Sequence, residues 1–131
     1  MHSKDWKWAF DKINQSPPYY STPKKPLINK FFSLENKTFW NINNHYFEFI
    51  HTPGHTPGSG CFYFIDEKIL LSGDTLFKNS CGRTDMYGGN GKDMAQSLRR
   101  LKTLPKETIV YPGHGDQTTI SNELINNFFM K

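Results

Sequence analysis

Residues 46–77, YFEFIHTPGHTPGSGCFYFIDEKILLSGDTLF, carry the pattern that decides the fold. Two short runs within it, CFYFID and KILLS, are dense in aromatic and branched residues and bounded by turn formers, which predicts strands. Around them stand HTPGHTPGS (51–59) and SGDTLF (72–77), too rich in Gly and polar residues to continue regular structure. Working outward, KTFWNI and HYFEFI flank Asn43-Asn44 and predict a β-hairpin. Downstream, TIVY reads as a buried strand that runs into a sharp loop, PGHGD. Strands that lead into loops carrying the polar residues define a mixed α/β pattern.

Between these strands, residues 73–91 hold five glycines and form a connection longer than ordinary loops. A helix is predicted after it, with Asp93 as cap and Gln96 closing a capping box, and with Met94, Leu98 and Leu101 on one apolar stripe. Pro105 ends it. NELINNFF predicts a short terminal helix capped by Ser121. At the other end, Trp6, Phe10 and Ile13 recur at helical spacing, and PPYYSTPKKP (17–26), with four prolines, reads as loop.

The chain of 131 residues suits one domain. A core is expected to draw its bulk from eleven Phe, six Tyr and three Trp, a ring content foreign to disordered chains. The net charge of +4 is spread along the chain with no basic run longer than two residues, so a nucleic-acid surface is not expected. Two cysteines, Cys61 and Cys81, are too few for a disulfide framework and point to a reducing compartment. No apolar run approaches the length of a membrane span or a signal core, so a cytoplasmic protein without membrane contact is expected.

Three loops each hold a metal-competent side chain beside glycine at the end of a strand: His55 in HTPGHTPGS, Asp74 in SGDTLF and His114 in YPGHG. Imidazole nitrogen and carboxylate oxygen are good donors to zinc and to iron, and glycine lets backbone pass close to an ion. His51 cannot pair with His55 on a helix, because Pro53 and Gly54 intervene, and reads as structural. His45 in the hairpin and His2 near the terminus read as bystanders. Cys81 reads as a residue lining the pocket, since no base is identifiable to make it a nucleophile. Arg83 has two readings of equal weight: it binds an anionic substrate group, or it pins its loop through Asp85.

The order TPGHT (52–56), GDTLF (73–77), CGRTD (81–85), the Leu98/Leu101 helix and YPGHG with TTI (118–120) resembles the metallo-β-lactamase superfamily, and within it the glyoxalase II-like hydroxyacylglutathione hydrolases. The resemblance spans nearly the whole chain from Ile50 onward. It implies an α/β (α+β) fold, the C-terminal half of an αββα sandwich, with residues 1–131 as a single partial domain. It also implies that His55 binds a first metal, Asp74 bridges both metals and His114 binds the second, as a site for two Zn²⁺ ions, with iron or manganese as alternatives.

In such enzymes a metal-bound hydroxide attacks a thioester, and the implied substrate is a small thioester, glutathione-derived in the glyoxalase II case. Arg83 and Cys81 would line the substrate side. The family's HxHxDH motif is not in this sequence and would lie before Met1, leaving three of seven ligands. An apolar sheet face is therefore expected to be open to self-association or to pairing with an N-terminal half. Two other readings follow from the same residues: a non-catalytic fragment of the family, and a persulfide dioxygenase-like iron protein.

Overall fold

The computed structural model describes residues 2–6, 9 and 38–131. Of the predicted N-terminal helix only a turn, α1 (Ser3–Trp6), falls within them; Phe10, Ile13 and the proline-rich stretch 17–26 lie outside the described residues. Six strands form one sheet, in the order β1 (Thr38–Ile42), β2 (His45–His51), β3 (Gly60–Phe64), β4 (Ile69–Gly73), β7 (Ile109–Pro112) and β8 (Thr118–Thr119). β7 lies parallel to β4, and the other neighbours are antiparallel. The predicted hairpin is β1–β2, and its turn residues Asn43 and Asn44 both take positive φ, 51° and 67°. A two-residue turn of that hand matches the right-handed twist of the strands it joins, and asparagine tolerates it better than branched residues.

The long connection predicted over 73–91 contains structure of its own, a small hairpin of β5 (Leu76–Phe77) and β6 (Ser80–Cys81). Two-residue strands are too short to show a period-2 pattern, so only the turn Lys78-Asn79, with Asn79 at φ 59°, marks it in sequence.

Helix α2 (Gly91–Leu101) carries the predicted stripe, with Met94, Leu98 and Leu101 buried. Its cap is corrected: Asn90, in extended conformation, accepts from the backbone N–H of Lys92 and Asp93, so Asp93 lies inside the first turn. A carboxylate there still complements the positive end of the helix dipole. The C-terminal helix α3 (Ile120–Asn126) is likewise capped one turn boundary earlier than predicted, by Thr119 in place of Ser121, and a 3₁₀ turn, Phe128–Met130, follows.

One face of the sheet makes the core. Cys61, Tyr63, Leu70 and Val110 point to it and meet Met94, Leu98 and Leu101 of α2 together with Leu76, Ile120 and Met130. The alternate residues point the other way: Phe62, Leu71 and Tyr111 stand in register across β3, β4 and β7 and are about two-fifths exposed. The expected open apolar face is thus visible along these strands, and it follows from a strand pattern that is apolar on both sides.

Neighbouring residues on β4 therefore differ sharply in worth. Leu70→Ala, at a position with no exposure, is expected to cost about 2–5 kcal/mol. Leu71→Ala, on the open face, is expected to cost less than about 1 kcal/mol. Equilibrium urea unfolding of the two variants measures the difference.

Candidate metal centre

The sheet topology brings three loops to one edge. β2 is antiparallel to β3 and β3 to β4, so β2 and β4 run the same way, and β7 runs with β4. The three strands end at the same edge, and the loops that leave them carry His55, Asp74 and His114. Strands about 4.8 Å apart place the exits of β4 and β7 side by side, with the β2 exit one strand farther away.

Buried hydrogen bonds close that remaining gap. The hydroxyls of Thr52 and Thr75, neither of them exposed, meet at 2.8 Å and tie the His55 loop to the Asp74 turn. Ser97 of α2 donates to the Pro53 carbonyl at 2.7 Å, and the Asn90 N–H to the Gly54 carbonyl at 2.8 Å, so the helix grips the same loop from above. Asp5 holds it from the N-terminal side, accepting from Thr56 Oγ1 at 2.8 Å and from Gly58 N–H at 2.7 Å. The third loop needs its glycine: a Cβ at Gly113 would lie 2.6 Å from Asp74 Oδ1, and the Gly113 N–H donates to the Gly73 carbonyl at 2.9 Å.

The three candidate side chains converge on Asp74, one on each carboxylate oxygen. His55 Nε2 lies 3.6 Å from Oδ2, and His114 Nε2 lies 3.7 Å from Oδ1. His55 Nδ1 donates to the Arg83 carbonyl at 2.9 Å; a carbonyl can only accept, so Nδ1 carries a proton and Nε2 is the nitrogen turned toward Asp74. Phe77 stacks on the His114 ring with centroids 4.4 Å apart. A cavity of about 440 Å³ opens over these groups, lined also by Lys78, Ser80, Cys81 and Arg83.

The donor set fits divalent metal in a particular way. Both imidazole–carboxylate separations are too long for hydrogen bonds. Two donors each about 2.1 Å from one ion in tetrahedral array stand roughly 3.4 Å apart, close to both gaps. Among the described residues no three His, Cys, Asp or Glu side chains share a single metal position. The residues would fit such an ion pairwise, His55 with Asp74 Oδ2 and His114 with Asp74 Oδ1.

The other predicted residues resolve differently. Arg83 sends Nε and Nη2 to the two oxygens of Asp85, at 2.8 and 2.9 Å, and this pairing holds the Asp85 carboxyl down at about 2. The guanidinium pins its loop while its carbonyl orients His55, a backbone role that no side-chain pattern announces. Cys81 lines the cavity half-buried, and burial pushes its thiol above the ordinary value of 9.0. Cys61 lies wholly inside, where burial raises its thiol to about 11.

His45 pairs with Glu67 on the surface, and His51 Nε2 meets the Pro57 carbonyl at 2.9 Å, with burial lowering its pKa. His2, read as a bystander, is buried and stacks on His51 at 5.0 Å. The rings it stacks on, His51 and Phe49, lie far along the chain, so no local pattern marks that contact.

The family model of the metallo-beta-lactamase superfamily matches residues 15–114. The chain belongs to the metallo-beta-lactamase superfamily. Within it, the chain is 42% identical over 91 residues to the probable metallo-hydrolase YqgX of Bacillus subtilis, covering 69% of this chain and 43% of that protein. It is 46% identical over 81 residues to a hydroxyacylglutathione hydrolase of Rhizobium etli, covering 62% and 30%.

Among solved structures, the BLEG-1 B3 metallo-beta-lactamase superposes with a TM-score of 0.83 at 36% identity, over 99% of this chain and 63% of that one. TTHA1623 in a di-iron-bound form follows with a TM-score of 0.71 at 38% identity, over 83% and 52%. The mixed α/β fold is thus that of the superfamily, and this chain spans less than half the length of the curated relatives it matches. Among the described residues no helix is long and apolar enough to cross a membrane.

A raised thiol pKa means less thiolate at any given pH, and thiolate is the reactive form. Alkylation by iodoacetamide is therefore expected to be slow at Cys81 at pH 7, to rise as the pH passes 9, and to spare Cys61 in the folded chain. Peptide mapping after timed labelling measures both; rapid labelling of Cys81 at pH 7 would contradict the burial argument.

Proposed function

We propose that this chain supplies the His55–Asp74–His114 part of a dinuclear metallohydrolase centre that cleaves a small thioester. The observation that carries the reading is the two-sided approach to Asp74, with one imidazole facing each oxygen. The remaining ligands would come from outside the matched segment, from the part that the longer relatives carry in addition. Support for a thioester comes from the hydroxyacylglutathione hydrolase relative, and a glutathione-derived thiol is the natural candidate for the leaving group. Zinc is the proposed metal, with iron or manganese compatible with the same nitrogen and oxygen donors.

When bound at such a site, divalent metal acidifies water and polarises the scissile carbonyl, which removes the need for a strong side-chain base. The chain's own residues prepare that chemistry. The Arg83 carbonyl fixes the proton on His55 Nδ1 and so keeps Nε2 free to donate its lone pair. Asp74 offers an oxygen to each side and contributes the negative charge that offsets two cations. Cys81 stays a thiol and does not compete as a nucleophile. Lys78, paired with Asp116 at 3.2 Å on the cavity rim, presents a cation to an anionic thiol component.

A second reading, a fragment without turnover, has its own observation: three described donors that do not share one metal position. The two readings are separated by combining the zinc-loaded chain with a separately expressed N-terminal segment of a longer relative, adding S-lactoylglutathione and following thiol release. Hydrolysis that falls more than about 100-fold in Asp74→Ala, and likewise in His55→Ala and His114→Ala, supports the metallohydrolase, because that exceeds what loss of an outer hydrogen-bond partner costs. Unchanged hydrolysis in Asp74→Ala would sink it. Oxygen uptake with a persulfide, in place of thioester cleavage, would assign the iron chemistry instead.

A further inference from the structure

Glu123 is a carboxylate on α3 with no exposure, and among the described residues no cationic side chain pairs with it. Four neutral donors hold it. Oε1 accepts from Thr118 Oγ1 at 2.6 Å and Asn122 Nδ2 at 2.8 Å; Oε2 accepts from the Asn79 backbone N–H and Asn127 Nδ2, both at 2.8 Å. Burying a charge costs several kcal/mol unless every lone pair is satisfied, so a carboxylate here is a demanding choice for what could be an apolar helix position. What it offers, and an amide does not, is acceptance on both sides at once.

Two of the donors, Asn79 and Thr118, belong to segments that frame His114, while Asn122 and Asn127 lie on α3 and at its C-cap. Asn79 is the left-handed turn residue of the β5–β6 hairpin, and Asn127 reaches the same hairpin again through the Ser80 carbonyl at 2.9 Å. Thr118 begins β8, four residues beyond His114. The hairpin in turn carries Phe77, whose ring lies against the His114 imidazole at 4.4 Å and 28°. The His114 side chain is 75% exposed, so little besides that stacked ring limits its rotation.

We propose that Glu123 is a positioning residue for His114: its buried carboxylate fixes the Asn79 turn, and through it the Phe77 ring that sets the imidazole against Asp74. The functional consequence rests on reading His114 as a metal ligand; the structural one does not. Glu123→Gln keeps size and shape but replaces one accepting oxygen with a donor, which must face either the Asn79 N–H or the cluster of Thr118 and Asn122.

The test is proton–carbon NMR of the metal-free 131-residue chain labelled in its histidine rings, with His114 identified by loss of its signals in His114→Ala. Phe77→Leu defines the shift that accompanies loss of the stack. Glu123→Gln is expected to move the His114 ring signals in the same direction, leaving those of His55 and the Leu70 methyls in place. Unmoved His114 signals in folded Glu123→Gln overturn the proposal, and so does movement of His55 as large as that of His114. Should Glu123→Gln fail to fold, Asn127→Ala, which removes one donor to the same carboxylate and the bond to Ser80, decides in its place.

Zinc affinity, measured by competition with a chromophoric chelator, is the second arm. Glu123→Gln is expected to weaken it about 10–100-fold, the cost typical of outer partners. Affinity unchanged in His114→Ala would overturn the ligand reading of His114 while leaving the ring-orientation result to stand on its own.

Discussion

The parallel pairing of β7 with β4 is the constraint on which the site depends. Without it, the loop of His114 would leave the opposite edge of the sheet from the loop of Asp74. Parallel neighbours require a crossover, and here the crossover is the interval of residues 74–108, which holds the β5–β6 hairpin and α2. The same interval therefore does two things: it reverses the chain so that β7 can run with β4, and it supplies the helix that buries the core face. Packing of Leu98 and Leu101 against Leu70 and Val110 is what keeps the crossover in place.

Once the strand directions are set, position at the ångström scale comes from short-range groups that would look unremarkable singly. The Thr52–Thr75 hydroxyl pair, the Ser97 bond to Pro53 and the close passage of Gly113 by Asp74 each remove a degree of freedom from one loop. Hydroxyls hydrogen-bonded to each other in a dry interior are held more rigidly than in water, because leaving either unpaired is costly. The Asp74 carboxylate ends up with an imidazole before each oxygen, while Arg83 spends its guanidinium on Asp85 and its carbonyl on His55. The electrostatic character of the cavity is thereby decided by loops, while the sheet beneath remains apolar on both faces.

Several elements were legible in advance because their determinants are local. Asn43-Asn44 between two aromatic runs specifies a tight hairpin, and the Met94, Leu98, Leu101 stripe specifies a helix and its buried side. The helix starts were misplaced by a few residues for a physical reason. Several adjacent residues at each start carry side-chain oxygens able to cap, and the winner is the one whose backbone is extended when the helix packs: Asn90 over Asp93 and Thr119 over Ser121. The β5–β6 hairpin was unreadable because its strands have two residues each and depend on Glu123 and Asn127, more than forty residues downstream.

By itself, the sequence determined the kinds of donor available, their placement in glycine-bearing loops after strands, the fold class and the superfamily, since all of these are written in short contiguous patterns. Only the tertiary structure decided that His55 and His114 address different oxygens of one carboxylate, that the Arg83 guanidinium pairs with Asp85, and that a buried glutamate holds the turn of the β5–β6 hairpin. Those outcomes hinge on strand direction, loop closure and burial, which are properties of residues far apart in the chain and acquire values only when the sheet has assembled.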